Sequence, residues 1–231
     1  ALQLASMAAG RTWPNPMVGA LLVKDGSVVG SGFHARPGQA HAEVNALNVA
    51  GSDARGATCY VTLEPCCHEG RTGPCTTALI EAGVKRVVYG MQDPYVEVSG
   101  KGIEVLKKAG IETLGPVLED ACRTLNAPFI VAHKEARPFV SLKLALTLDG
   151  MIADKNRNSS WITGPVARKV GHKLRSMHQA IMVGAETVRR DNPRLNPRDT
   201  DGQGLSNPTR IIITNGNLDL RGKALLDDIE H

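Results

Sequence analysis

Apolar residues recur along the chain with two different periods, and the switching between them predicts a layered α/β protein. Residues 18–33, VGALLVKDGSVVGSGF, place two apolar runs around Asp25-Gly26. That dipeptide readily takes the positive φ of a tight turn, so a β-hairpin is expected. HAEVNALNVA (41–50) reads as a helix with Val44, Leu47 and Ala50 on one face, and ATCYVTL (57–63) as a buried strand by its β-branched content. PCTTALIEAG (74–83) opens at a proline and closes at a glycine, as helices do. A strand at VKRVVYG, a helix at GKGIEVLKKAG, a short strand at IETLG and a helix at PVLEDACRTLN follow. The opening ALQLASMAAG reads as a short helix whose start is cut off, since no methionine precedes Ala1.

NAPFIVAHKEARP (126–138) reads as a linker, after which the pattern restarts. FVSLKLALTLDG is expected as a long strand, and GPVARKVGHKLRSM as a helix opened by Gly-Pro. QAIMVGAETVRRDNP reads as a strand running into a helix that stops before Pro193, and TRIIITN as another strand. The expected domains are 1–136 and 137–231. No internal repeat or low-complexity segment interrupts them.

Composition narrows the class. A chain of 231 residues that is 42% hydrophobic and 22% charged is ordinary for a globular protein. No apolar run approaches the ~18 residues of a membrane span, and the first residues lack the basic start of a signal peptide. Five cysteines is an odd number, and three of them cluster, which argues for a metal site in a reducing cytoplasm over a disulfide framework. Up to Ala136 there are 12 Lys+Arg against 13 Asp+Glu, a balance of −1, and from Arg137 onward 15 against 10, a balance of +5. The second part is therefore the better match for anionic groups such as phosphates. With 3% aromatics, base-stacking material is scarce, so neither a nucleic-acid nor a membrane partner is expected.

TLEPCCHEGRTGPC (62–75) offers Cys66, Cys67, His68 and Cys75 within ten positions. Upstream, His41-Ala42-Glu43 opens a helix. Pro65-Cys66 comes 25 residues after His41, where a strand ends, and Cys75 nine further on, where a helix starts. Zinc accepts one imidazole and two thiolates, and three protein ligands leave the fourth position to a water whose pKa falls to about 7. Glu43 need not bind the metal. A carboxylate beside that water can take its proton and pass it to a leaving amine, the logic of H-x-E…P-C base deaminases. Those enzymes usually carry P-C-x-x-C, and position 69 here is Glu. Alone, H-A-E is most often a helix start and a cysteine cluster a structural zinc site. Together and in this order, they favour catalysis.

The motifs PNPMVGALLVKDG, HAEVNAL, GATCYVTLEPCCHEGRTGPC, GVKRVVYGMQDP and KLALTLDG, continued by SSWITG, HKLRS and DNPRL, resemble the bifunctional deaminase–reductases of bacterial riboflavin biosynthesis over almost the whole chain. The long step between the two cysteines separates that family from nucleoside and RNA deaminases. The resemblance implies a three-layer cytidine-deaminase-like α/β domain followed by part of a dihydrofolate-reductase-like α/β domain. It implies zinc-dependent removal of the 2-amino group of 2,5-diamino-6-(5-phosphoribosylamino)pyrimidin-4-one, then reduction of the ribosyl group to ribityl with NADPH. A small phosphorylated pyrimidine is the implied partner, and nothing speaks against a homo-oligomer.

Carried over by position, His41, Cys66 and Cys75 are the implied zinc ligands and Glu43 the proton shuttle. Asn15, His34 and Arg71 are implied substrate contacts, although Asn15 would also shape a turn and either His34 or Arg71 would also suit a solvated loop. In the second half, the substrate contacts would be Lys143, Ser159, Arg175, Leu195 and Arg198, and the NADPH contacts Ala145, Trp161, Thr187 and Asp191. Lys143 would also suit an edge residue reaching water, Trp161 a core aromatic and Asp191 a surface charge. The family's reductase domain continues past His231, so the second domain is expected to be incomplete. Two other readings remain at this point: a deaminase of nucleosides or tRNA bases, and a non-catalytic zinc module.

Overall fold

A computed structural model describes residues 1–70, 73–95, 98–159, 161–198 and 207–227. The chain divides into two compact units, Ala1–Val140 and Ser141–His231.

The first unit is built on a five-stranded sheet of order β2-β1-β3-β4-β5. β1 (Gly19–Lys24) and β2 (Ser27–Phe33) form the expected hairpin, with Asp25 and Gly26 at φ 49° and 78° in the turn. β1 also pairs antiparallel with β3 (Thr58–Val61), and β3, β4 (Arg86–Tyr89) and β5 (Glu112–Leu114) run parallel. Helices α1 (Leu2–Ser6) and α2 (Ala42–Ala50) cover opposite faces of this sheet. A side chain at Gly19 would strike the backbone of Ala1 and Ala5, whereas one at Gly30 or Gly32 would strike that of Ala46. The remaining helices are α3 (Cys75–Glu81), α4 (Lys101–Lys108), α5 (Glu119–Leu125) and α6 (Ala127–Glu135). Ala20, Leu22, Ala46, Cys59, Leu79 and Val87 are fully enclosed at the centre of the core. These are small and branched residues, the kind that lets helices and sheet approach closely.

The second unit pairs β6 (Ala180–Gly184) with β7 (Thr209–Ile213) in parallel and adds helices α7 (Pro165–Ser176) and α8 (Ala185–Asp191). Among the described residues, no helix is long and apolar enough to cross a membrane.

Two expectations are corrected. The supposed linker 126–138 contains α6, which starts behind Asn126 with Pro128 in its first turn and buries Phe129. The expected long strand at 139–150 is irregular instead, with Leu142 83% and Leu144 57% exposed. Alternation licenses a strand only where a neighbour supplies hydrogen bonds, and β6 and β7 pair with each other, not with this segment.

Candidate metal centre and active site

Three side chains converge at the carboxyl end of β3. Cys66 sits on the loop leaving that strand, Cys75 is the first residue of α3, and His41 is the residue before α2. Their donor atoms lie within 4.8 Å of one another, and Cys67 and His68 are not part of this cluster. The His41 Nδ1 is 3.5 Å from the Cys66 Sγ and 3.2 Å from the Cys75 Sγ. A tetrahedral zinc with its nitrogen at ~2.0–2.1 Å and sulfurs at ~2.3 Å holds N and S roughly 3.5 Å apart, so the donor set fits that ion in both chemistry and spacing.

The local backbone explains the convergence. The Cys75 N–H donates to the Cys66 sulfur at 3.3 Å, and the Thr76 N–H to the Cys66 carbonyl at 3.1 Å, so the opening turn of α3 closes onto the loop after β3. The Cys75 thiol, followed by the imidazole and the Cys75 N–H, holds the Cys66 thiol at about 4, well below its usual value. The same hydrogen bond to Cys66, then burial, pushes Cys75 up. The hydrogen bond to Cys66 also raises His41.

Glu43 lies in the first turn of α2, 3% exposed and hydrogen-bonded to Cys75. Burial, then the neighbouring Cys66 charge, lifts its carboxyl to about 7. A carboxyl poised there exchanges protons readily at neutral pH.

His41, Glu43 and Cys66 line a cavity of about 470 Å³, together with Asn15, His34, Glu64 and His68. His34 is 2% exposed and both ring nitrogens are engaged. Nδ1 faces the Ala40 carbonyl at 3.2 Å, and Nε2 faces the Asn15 Nδ2 at 3.0 Å. A carbonyl only accepts, so Nδ1 carries the proton and Nε2 accepts from the Asn15 amide. The same Ala40 carbonyl takes a second bond from Asn45 in α2. Arg71, the other expected contact, lies outside the described residues.

Sequence reasoning did not single out the rest of the wall. Asp93, Tyr95, Phe129 and His133 line the same cavity. α6 brings Phe129 and His133 together at a ring separation of 4.2 Å, and Tyr95 meets His133 edge-on at 6.1 Å. The one available signal was the i, i+4 spacing of an aromatic and a histidine, hidden by reading the segment as linker.

In the second unit, Arg175 in α7 donates to the Asn196 carbonyl at 2.7 Å, which brings it to the turn carrying Leu195 and Arg198. Burial, then the nearby Arg198 and Arg210, lowers its pKa. Lys143 is exposed, with its side chain beside Gly171 of α7. Trp161 is 75% exposed and lies under the Arg168 guanidinium at 4.3 Å, so it is no core aromatic. Ser159, Ala145 and Thr187 are half-buried and Asp191 is exposed. Among the described residues, no hydrogen bond or ion pair joins Ala145, Trp161, Thr187 and Asp191 to one another.

Residues 1–91 match the cytidine and deoxycytidylate deaminase zinc-binding region, and residues 138–229 the RibD C-terminal domain. The chain is 50% identical over 227 residues to the riboflavin biosynthesis protein RibD of Synechocystis, covering 98% of this chain and 61% of that protein. To its Escherichia coli counterpart it is 44% identical over 227 residues, covering 94% and 62%. The solved diaminohydroxyphosphoribosylaminopyrimidine deaminase/5-amino-6-(5-phosphoribosylamino)uracil reductase of Thermotoga maritima is 44% identical, covers 99% of this chain and 65% of its own, and superposes with a TM-score of 0.90. The chain thus spans about three fifths of the length of the curated relatives it matches. With the deaminase zinc-binding region and the RibD C-terminal domain matched in order along one polypeptide, the chain belongs to the RibD family.

Proposed function

We propose that the unit Ala1–Val140 is a zinc-dependent aminohydrolase that removes the 2-amino group of 2,5-diamino-6-(5-phosphoribosylamino)pyrimidin-4-one. The observation that carries this reading is a buried carboxyl, Glu43, beside a His41–Cys66–Cys75 donor set, with Glu43, His41 and Cys66 lining a cavity large enough for a nucleotide-sized ligand. Zinc, when bound, supplies the Lewis acidity that makes water nucleophilic near neutral pH. Glu43 accepts the proton that water loses and delivers it to the departing nitrogen, so that an amidine C–NH2 and water become a carbonyl and ammonia. Asn15 orients the heterocycle, and burial of the carboxyl keeps bulk water from competing for its proton. That the ligand cluster stops at three among the described residues favours catalysis over a closed structural site.

The segment from residue 137 onward would carry the NADPH-dependent reduction of the ribosyl group in the whole protein. Arg175 and Arg198 would meet the substrate phosphate there, where the basic excess lies. Five free cysteines suit the reducing cytoplasm in which such a pathway would run.

Glu43→Gln tests the central claim. The variant is expected to keep one zinc per chain while ammonia release from the diaminopyrimidine phosphate falls by about 10²–10⁴-fold, the usual worth of a positioned acid–base group. Release at the wild-type rate removes the shuttle role. A side-by-side assay with cytidine and guanine separates the substrate classes, because turnover of those alone assigns the site to nucleoside or base deamination.

A further inference from the structure

Glu64, two positions before the candidate metal ligand Cys66, lines the cavity, but its carboxylate is committed to backbone N–H groups. It is 2% exposed at the exit of β3. Its Oε1 accepts the Gly102 N–H at 2.9 Å and the Ile103 N–H at 3.3 Å. Its Oε2 accepts the Gly100 N–H at 2.9 Å and the Asp93 N–H at 3.3 Å. Its own N–H donates to the Met91 carbonyl at 2.9 Å. A carboxylate has about four lone-pair sites, and all are spent on backbone.

The donors come from the two places that matter. Gly102 and Ile103 are in the first turn of α4, whose N–H groups have no partner within the helix, and the helix has no side-chain cap of its own. Asp93 belongs to the cavity wall, and its carboxylate in turn accepts the Tyr95 N–H at 2.9 Å. The fit is close. A Cβ at Gly102 would lie 2.0 Å from the Pro65 carbonyl, so α4 presses directly on the residue before Cys66. The metal loop, the start of α4 and the wall bearing Asp93 and Tyr95 are therefore joined through one side chain.

We propose that Glu64 is a positioning residue that sets the Asp93–Tyr95 wall against the metal loop, and so fixes the width of the cavity into which the substrate must fit. The inference rests on the aminohydrolase reading for its substrate and on nothing but the hydrogen bonds for its geometry. The metal loop keeps two further ties, from Cys75 and Thr76 to Cys66. Loss of the Glu64 carboxylate should thus loosen the wall and leave the metal in place.

Glu64→Gln turns one acceptor into a donor facing two N–H groups, whichever way the amide lies. In the zinc-loaded full chain, amide hydrogen exchange at Asp93, Gly100, Gly102 and Ile103 is expected to accelerate at least tenfold, while β1 and β3 amides keep their protection. Zinc should stay at one per chain, and KM should rise about tenfold or more with kcat changed less than threefold. Gly102→Ala, which keeps the carboxylate but wedges α4 off Pro65, should reproduce the KM effect, and it carries the test if the first variant does not fold. Unchanged exchange at the four amides, or an unchanged KM despite faster exchange, overturns the proposal. So does a fall in kcat with KM constant. If the wild-type chain fails to turn over the diaminopyrimidine phosphate, the aminohydrolase reading falls, and the exchange experiment still decides the hydrogen-bonded role.

Discussion

His34 stands one step back from the chemistry its position suggests. The resemblance implies a substrate contact, and the ring lines the cavity with both nitrogens engaged, one with Ala40 and one with Asn15. Its effect on a ligand would pass through Asn15, whose amide it turns so that the nitrogen faces the ring. That coupling predicts non-additivity. Asn15→Ala should raise KM for the pyrimidine about tenfold, the worth of roughly one well-placed hydrogen bond at 1–1.5 kcal/mol. His34→Gln should raise it by a similar factor, and the double variant should be no worse than Asn15→Ala alone. Effects that multiply would mean that His34 meets the ligand by itself. The candidate metal cluster was legible in the sequence because metal chemistry restricts residue type. Only His, Cys and acids bind zinc, and His41, Cys66 and Cys75 recur at helix starts and strand ends. Glu64 was not legible, because its role depends on backbone N–H groups 29 to 39 residues away that no side-chain pattern marks.

At the scale of elements, the hairpin and α2 together place the Glu43 carboxyl. Gly30 and Gly32 lie on the face of β2 that meets α2, and a Cβ at Gly32 would lie 2.6 Å from the Ala42 carbonyl and the Ala46 nitrogen. Those obstacles are backbone, so the helix would have to move as a body, and His41 and Glu43 with it. Gly32→Ala is expected to cost about 2–3 kcal/mol of stability, the upper part of the range for overpacking. Zinc affinity should fall in parallel, because the helix carries the imidazole. Denaturant titration beside a zinc competition assay measures both, and unchanged values would mean that the helix can shift freely. The same elements show what periodicity can and cannot reveal. Asp25-Gly26 names its own turn, because only certain residues take positive φ cheaply. The 139–150 segment carries strand-like alternation without a ladder, since pairing belongs to the neighbour and not to the segment. In α6, the Asn126 and Pro128 start signals were present but masked by the mixed apolar and charged residues that follow.

At the scale of the whole molecule, the candidate metal cluster found among the described residues lies in the first unit, while the basic excess lies in the other half of the chain. Zinc should therefore act on one unfolding transition. Binding to the native state alone stabilises by about 2.7 kcal/mol when free metal is a hundredfold above Kd. For a unit of about this size, that raises its midpoint by roughly 5–10 °C. The two tryptophans allow the assignment, since Trp13 is in the first unit and Trp161 in the second. A Trp161→Phe variant reports the first unit through Trp13 alone. Its fluorescence midpoint should fall by that amount when chelator strips the zinc and return when zinc is restored. Calorimetry of the same chain should show a second transition that chelation leaves in place. A single transition that moves as a whole would mean that the two units unfold together, and that the metal's contribution reaches the second unit as well as the first.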